Sequence, residues 1–226
     1  MPRRLAVIGV PSGAGACGVG QEQTPAAIRA AGLIDQLGRV GFQVDDLGDS
    51  PVVPWRPDRA NPRAQNLHAV LEMVHTTTKR VADALVERDR MALVLGGDCT
   101  VEMGTVAGIQ QAIGPLALAY FDLHSDLNTP ASAPDGALDW MALGHMLAVE
   151  GAEPTLTAAA GNPPLLDPGQ VVLFAHALSR STRFERGQIE RLGLARVALE
   201  GVRSDPEGAA SEALQLLCRA SSVAGS

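Results

Sequence analysis

The sequence predicts one α/β domain built on a mostly parallel sheet, and three observations support this fold class. Short apolar runs alternate with longer amphipathic segments, which is typical of repeated βα units. Four of the apolar runs contain almost no polar residue, as expected for strands that helices cover on both faces. The 226 residues are 46% hydrophobic and 19% charged, enough to bury one sizeable core, so we expect a single domain over residues 1–226.

The strands and the first helices follow from local patterns, taken in chain order. Strands are predicted over residues 5–10, 42–47, 91–95, 116–121, 171–175 and 195–199. Thr24 followed by Pro25 indicates a helix start, because a capping residue followed by proline is typical of that position. An apolar stripe with helical spacing runs from Leu67 to Leu85. His68 and His75 lie off this stripe, so we expect both to be solvated rather than metal ligands.

The last third of the chain is less regular. Residues 151–168 are rich in Gly, Pro and Ala and are predicted to form a loop. Asp205 and Pro206 indicate the start of a final helix. The apolar stripe of that helix consists of Ala210, Ala213, Leu214 and Leu217. Residues 217–226 are small and polar, and we expect them to form a disordered tail.

Composition restricts the class of function. The net charge of -7 and a pI near 5.2 disfavour nucleic acid or an anionic membrane as partner, since either would require a basic surface. The three cysteines, Cys17, Cys99 and Cys218, are too few for a disulfide framework, which indicates a reducing compartment. Residues 5–10 are too short an apolar run for a signal peptide, and no run is long enough to span a membrane. We expect a cytoplasmic protein that acts on a small molecule.

The segment after the fourth predicted strand has the spacing of a metal site. Asp122, His124 and Asp126 alternate with other residues directly after the apolar residues 116–121. In an extended segment these three side chains share one face and could converge on a cation. A polar strand end that begins a loop is the alternative. The position favours function, because ligands of α/β proteins bind beyond the carboxyl ends of parallel strands.

A second cluster, Gly96-Gly97-Asp98-Cys99-Thr100, follows the third predicted strand and opens a helix. Paired glycines permit a tight turn, and the helix N-terminus favours a negative ligand. The same position is expected to lower the pKa of Cys99 and make its thiolate available. Alternatively, Cys99 is a small buried packing residue.

Together these segments resemble the arginase/agmatinase (ureohydrolase) family of binuclear manganese hydrolases. The resemblance covers about residues 4–217 and is carried by residues 7–11, 18–20, 24–29, 96–100, 122–126 and 136–147. Residues 96–100 lie where the family has a Gly-Gly-Asp-His-Ser turn, and residues 122–126 lie where it has D-x-H-x-D. The combination of these two motifs is specific, whereas the N-terminal glycines alone would not be.

The resemblance implies a three-layer α/β/α fold and the attack of a metal-bridging hydroxide on a guanidinium or amidine carbon. It implies that Asp122 bridges two Mn²⁺ ions, that Asp126 binds the first ion and that His124 binds the second. Asn128 lies where arginase places an asparagine on the substrate α-carboxylate, which favours an arginine-like substrate over agmatine. A homo-oligomer is also implied.

The sequence departs from the family at several positions. Cys99 replaces a metal-binding histidine, and a thiolate favours zinc or iron. Asp139 replaces the proton-shuttle histidine, a role that requires a considerably raised pKa, and Ala137 replaces a substrate-binding asparagine. The family's second metal motif, a D-x-D after a later strand, is absent from the sequence. We therefore expect a truncated or frame-shifted chain that lacks the C-terminal strands and holds one cation rather than two.

Three hypotheses about function remain open. The first is a metal-dependent amidinohydrolase, impaired in this chain. The second is a non-catalytic pseudoenzyme that keeps the scaffold for assembly or small-molecule binding. The third is a different metalloenzyme in which Cys99 and Asp139 perform altered chemistry.

Overall fold

A computed structural model describes residues 3–87 and 89–223 and the side chains up to residue 218. The strands are β1 (Arg3–Gly9), β2 (Phe42–Asp49), β3 (Arg90–Leu95), β4 (Leu118–Phe121), β5 (Val171–His176) and β6 (Ala195–Ala198). Each of them overlaps one predicted strand. The prediction of an α/β fold with parallel strands is therefore confirmed.

Helices follow most of the strands, as expected for βα units. Their bounds are α1 (Thr24–Ala30), α2 (Leu33–Arg39), α3 (Leu67–Ala84), α4 (Val101–Ile113), α5 (Ala142–Met146), α6 (Pro154–Ala159), α7 (Arg183–Leu192), α8 (Leu199–Ser204) and α9 (Pro206–Val223). A 3-10 turn, Leu138–Met141, directly precedes α5. Pro25 lies in the first turn of α1, and the predicted stripe from Leu67 corresponds to α3.

The described strands form two parallel sheets of three strands, in the orders β2-β1-β3 and β4-β5-β6. In the first sheet Leu5 is in register with Val44 and with Met91. In the second sheet Tyr120 is in register with Leu173. Because all the pairs are parallel, β3 and β4 present their carboxyl ends at the same side of their sheets as β1 and β5. The turns after β3 and β4 carry both predicted motifs.

The core has one continuous side and one divided side. On the continuous side, residues of β1, β4 and β5, such as Ile8, Tyr120 and Leu173, belong to one cluster with α3, α4 and α5. On the other side, β1 and β3 pack on α1 and α2, whereas β5 and β6 pack on α9 in a separate cluster. Helices thus cover both faces, which confirms the three-layer arrangement.

Two segments differ from the sequence prediction. Residues 154–159, predicted to be loop, form α6, because the Glu153 side chain accepts a hydrogen bond from the Thr155 amide and Leu156 is buried. The predicted disordered tail begins at residue 217, whereas α9 continues to Val223 and residues 224–226 lie outside the described part. Residues 217–220, Leu-Cys-Arg-Ala, are compatible with a helix.

Other predictions about helices are confirmed or refined. Asp205 accepts a hydrogen bond from the Gly208 amide at the start of α9, as its capping role requires. On α9, Ala213 is buried, whereas Leu214 of the predicted stripe is exposed. His68 and His75 are exposed on α3, as predicted. In the described residues no helix is both long and apolar enough to cross a membrane.

Candidate metal centre

The turn between β3 and α4 is held against the loop that follows β1. Asp98 is buried and accepts hydrogen bonds from the amides of Gly15 and Thr100 and from the Thr100 hydroxyl. The Asp98 amide donates to the Ser12 carbonyl, and a Cβ on Gly97 would lie 1.8 Å from that carbonyl oxygen. Only glycine at position 97 permits this approach. The turn therefore fixes the position of Cys99.

The environment of Cys99 is the opposite of the one predicted from the helix N-terminus. Burial raises the pKa of the Cys99 thiol well above its usual value, and the charges of Asp126, Glu102 and Asp122 raise it further. The predicted lowering of this pKa is therefore wrong for the metal-free protein. Burial first, and then the neighbouring carboxylates, outweigh the local effect of the helix. A bound cation would reverse the balance, because it stabilises the thiolate.

The site is completed by the segment after β4. Ligand atoms of Cys99, Asp122 and Asp126 lie within 4.8 Å of one another. Cys99 comes from the turn after β3 and the two aspartates from the turn after β4, so the two sheets meet at this point. The structure thus brings together three of the four predicted metal ligands. A thiol and two carboxylates in this arrangement could hold a metal ion.

Asp126 is the most deeply buried acid of this group, with 4% of its surface exposed. Burial, together with the charge of Asp122, raises its pKa to about 7 although the Tyr120 hydroxyl donates to it. The distance from that hydroxyl to Asp126 Oδ2 is 2.6 Å. Its backbone has a φ of 45°, and its carbonyl accepts a hydrogen bond from the Gly144 amide. This conformation breaks the alternation expected of an extended segment.

His124 lies beside the cluster rather than in it. Its ring packs on the ring of Trp140 with centroids 5.6 Å apart. His124 Nδ1 lies 3.4 Å from Asp122 Oδ1, which also accepts a hydrogen bond from the His124 amide. Asp122 and Asp126 therefore converge with Cys99, whereas His124 does not join their 4.8 Å cluster. The segment is also not extended throughout, since Asp126 has a φ outside the strand region.

Asp139, predicted as a candidate proton donor, is half-buried in the 3-10 turn Leu138–Met141. Burial raises its pKa to about 7, and the charges of Asp98 and Asp126 contribute to the rise. Its Oδ1 atom is buried and has no hydrogen-bond partner within the described part of the chain. Its amide donates to the Gly15 carbonyl, which ties this turn to the same loop as Asp98. Such a carboxyl can carry a proton at neutral pH.

Asn128, predicted to bind substrate, belongs to a second polar network. It is 1% exposed, and its Oδ1 accepts hydrogen bonds from the hydroxyls of Ser132 and Thr182, each at 3.1 Å. Its Nδ2 is buried without a partner among the described residues. Thr182 also caps α7 by accepting from the Glu185 amide. Asn128 is therefore oriented with a free donor.

The alternate residues of the same segment extend this network. Ser125 donates to Glu185 Oε1 at 3.0 Å, and the Thr182 amide donates to Glu185 Oε2 at 2.7 Å. Glu185 is 1% exposed, so both of its oxygens are buried and paired.

Several residues of these networks, among them Thr182, Glu185 and Tyr120, were not identified from the sequence. Thr182 and Glu185 carry a capping-box signal, a threonine followed three residues later by a glutamate, which could have placed the helix start. Tyr120 carries a weaker signal. A tyrosine in an otherwise apolar strand needs a partner for its hydroxyl. Neither signal could have revealed which distant residue is bound.

The donor set is compatible with a metal ion. Burial, and then the mutual repulsion of the neighbouring acids, raises the pKa values of Asp126 and Cys99, so their charged forms are disfavoured. A divalent cation would favour the charged forms of both groups.

Comparisons with known proteins show which family this chain resembles. A model of the arginase family matches residues 3–219. The arginase of Bacillus caldovelox is 33% identical over 211 residues, which cover 88% of this chain and 70% of that protein. The arginase of Bacillus subtilis (strain 168) is 31% identical over 211 residues, with the same coverage. The solved structure of the Bacillus caldovelox arginase has a TM-score of 0.83 at 30% identity, covering 97% of this chain and 72% of that one.

The family match extends over more than half of the chain, and both metal-site turns lie inside it. The chain therefore belongs to the arginase family, and it is an enzyme of the amidinohydrolase type, the class of hydrolases that acts on guanidino compounds.

Proposed function

We propose that this chain hydrolyses a C–N bond of a small arginine-like guanidino compound at a site centred on Cys99, Asp122 and Asp126. The convergence of these three side chains is the observation that carries the proposal. A guanidinium is delocalised and a poor electrophile, so its hydrolysis requires a strong nucleophile. A bound divalent cation supplies the Lewis acidity that makes water such a nucleophile at neutral pH.

The described ligands suit one cation. Asp122 and Asp126 offer carboxylate oxygens, and Cys99 offers a sulfur atom from the opposite turn. His124 borders the cluster through Asp122 and remains a candidate further ligand. A thiolate is softer than the imidazole that the family resemblance implies at this position. Zinc or iron is therefore favoured over the manganese pair of the family.

Asn128 is proposed to bind the carboxylate of the substrate. Its free Nδ2 is a buried donor, and the hydroxyls that orient it belong to Ser132 and Thr182. These two residues line an open groove of about 610 Å³ together with Arg183 and Arg191. The two arginine side chains at this groove favour a substrate with a carboxylate. Arginine is therefore preferred over agmatine, which lacks one.

Asp139 is proposed to protonate the leaving nitrogen. The pKa near 7 allows a fraction of this carboxyl to carry a proton at neutral pH, and its unpaired Oδ1 is free to face a substrate. With one cation the nucleophile has a single anchor, so we propose a slow reaction, with turnover below about 1 per second, the lower end of ordinary enzymes.

Competition between metals tests the proposed site. The purified protein is dialysed against equal concentrations of zinc and manganese, and the bound metal is measured. The wild type should retain zinc, and Cys99→His should shift the preference to manganese. Cys17→Ser is the matched control, because it removes an exposed cysteine and should change nothing. A wild type that already prefers manganese would place Cys99 outside the site.

Urea release tests the reaction and the substrate. The zinc-loaded protein should release urea from arginine faster than from agmatine, and Asn128→Ala should erase the difference. Asp139→Asn should lower turnover with both substrates. Equal rates for both substrates in the wild type would contradict the role of Asn128.

A non-catalytic function is the second candidate, because the raised pKa of Cys99 leaves a neutral thiol when no metal is present. Tight binding of arginine by metal-free protein, with no urea release after metal is added, would favour this alternative.

We also propose that the chain forms homo-oligomers, since the apolar side chains of Met91 and Phe121 are exposed on β3 and β4. Light scattering would test this.

A further inference from the structure

Tyr120 makes a contact with the candidate metal centre that no motif contains. Its hydroxyl lies 2.6 Å from Asp126 Oδ2, and only 2% of the residue is exposed. The backbone of Tyr120 is fixed in β4 by its parallel register with Leu173 of β5, and its ring lies in the continuous core. The hydroxyl therefore reaches Asp126 from a rigid element.

The chemistry of the pair assigns the direction of the hydrogen bond. A phenol is far less acidic than a carboxylic acid, so the Tyr120 hydroxyl donates the proton and Asp126 Oδ2 accepts it. Asp126 lies outside any helix or strand, and its backbone is held by the Gly144 amide. The bond from Tyr120 restrains the carboxylate itself.

Buried carboxylates that bind metals are usually held in this way. A hydrogen bond from a second residue fixes the plane of the carboxylate, and its loss typically lowers metal affinity 10–100-fold. The Tyr120 hydroxyl occupies one oxygen of Asp126. The other oxygen is then directed by the same bond, because the carboxylate is planar.

We propose that Tyr120 is a positioning residue of the metal centre, whose hydroxyl orients the Asp126 carboxylate towards a cation shared with Cys99 and Asp122. The inference rests on the proposed metal site and extends it to a residue outside the D-x-H-x-D and Gly-Gly-Asp turns. Tyr120 does not touch the substrate, and it acts through Asp126.

The matched pair of variants is Tyr120→Phe and Ser125→Ala. Each removes one buried hydroxyl that donates to a carboxylate, and the two positions belong to the same stretch of chain. Tyr120→Phe keeps the aromatic ring in the core. Zinc affinity is measured by competition with a chromophoric chelator. Tyr120→Phe should bind zinc 10–100-fold more weakly than the wild type, whereas Ser125→Ala should stay within about 3-fold.

A double-mutant cycle separates positioning from a general effect on the fold. In an Asp126→Asn background, Tyr120→Phe should cause no further loss of zinc affinity, because the carboxylate that it orients is gone. Additive losses in the double variant would overturn the inference. Equal zinc affinity of Tyr120→Phe and the wild type would overturn it as well.

A spectroscopic measurement keeps the inference testable if Tyr120→Phe folds poorly. Tyr120 is the single tyrosine of the chain, so growth with 3-fluorotyrosine labels this position alone. Its fluorine resonance should shift on titration with zinc and saturate at one equivalent. A resonance unmoved by bound zinc would overturn the role of Tyr120. A wild type that binds no zinc in the chelator assay would instead refute the proposed metal site itself.

Discussion

Asp126 and Glu185 are both almost fully buried acids, yet their surroundings differ. Glu185 accepts hydrogen bonds on both oxygens, from Ser125 and from the Thr182 amide, and it completes the cap of α7. Asp126 accepts one bond from Tyr120 and lies among the other acidic groups of the Cys99 cluster. Both networks receive residues from the same short segment, 122–128.

The difference separates a structural acid from a candidate ligand. A buried carboxylate whose oxygens are paired with neutral donors is compensated within the protein. One that shares its space with other acids is compensated by protonation or by a cation, and burial together with the charge of Asp122 raises the pKa of Asp126 accordingly. Removing an acid from the first environment should therefore damage the fold, and removing one from the second should damage metal binding.

The largest expected effect is the loss of metal from Asp122→Ala. Asp122 contributes a ligand atom to the cluster, and its removal leaves only Cys99 and Asp126 of the converging group. Zinc affinity should fall by about 1000-fold or more, beyond the 10–100-fold loss expected for residues that only orient ligands. His75→Ala, on the exposed side of α3, is the control and should change nothing. Stoichiometric zinc in purified Asp122→Ala would remove this residue from the site.

His145 extends the comparison to a buried base whose polar atoms are both paired. It is 1% exposed, its Nδ1 donates to the Met141 carbonyl and its Nε2 accepts from the Glu153 amide. This pattern requires the neutral ring, and burial lowers its pKa from 6.5 to about 4. In the unfolded chain the ring binds a proton at a higher pH. The contribution of His145 to stability is therefore present above pH 6.5 and is lost as the pH falls towards 4.

As the pH falls from 6.5 to 4, the contribution of His145 to the unfolding free energy should decrease by roughly 3 kcal/mol, a value that follows from the size of its pKa shift. This contribution is measured as the difference between the unfolding free energies of the wild type and His145→Gln at several pH values. Taking the difference cancels the contributions of the other titrating groups, which both proteins share. His68→Gln is the exposed control. A difference that does not change between pH 6.5 and 4 would contradict the assignment.

The comparison between the two acids is tested directly by Glu185→Gln and Asp126→Asn in metal-free protein. Glu185→Gln disturbs two buried hydrogen bonds and should lower the unfolding free energy by about 1–3 kcal/mol. Asp126→Asn removes a charge that the fold holds at a cost, so it should be neutral or slightly stabilising at pH 8. Zinc affinity should fall more in Asp126→Asn than in Glu185→Gln. A larger loss of stability in Asp126→Asn than in Glu185→Gln would contradict the distinction between a structural acid and a candidate metal ligand.

The strands could be predicted from the sequence because each is a short apolar run, and the parallel arrangement followed from their alternation with helices. The segment of α6 could not, because its composition resembles a loop, and its helix depends on the Glu153 cap and the burial of Leu156. Sequence pattern describes local preference, whereas this helix is stabilised by contacts with the rest of the fold.

The convergence of three candidate ligands was predictable from the sequence, but their environment was not. Asp122, Asp126 and Cys99 converge because the carboxyl ends of their strands do. His124 instead lies against Trp140 and beside Asp122, and the spacing rule contains neither these contacts nor the positive φ of Asp126. The pKa of Cys99 depends on burial and then on neighbouring acids, so a rule based on the helix N-terminus alone gave the wrong direction.

The central claim is that one cation is held jointly by the turns after β3 and β4. X-ray absorption of the zinc-loaded protein tests it most directly, because sulfur and oxygen ligands give different distances. The account predicts one sulfur at about 2.3 Å and oxygens at about 2.0–2.2 Å, with the sulfur lost in Cys99→Ala and retained in Cys17→Ser. A first shell of nitrogen and oxygen alone in the wild type would contradict it.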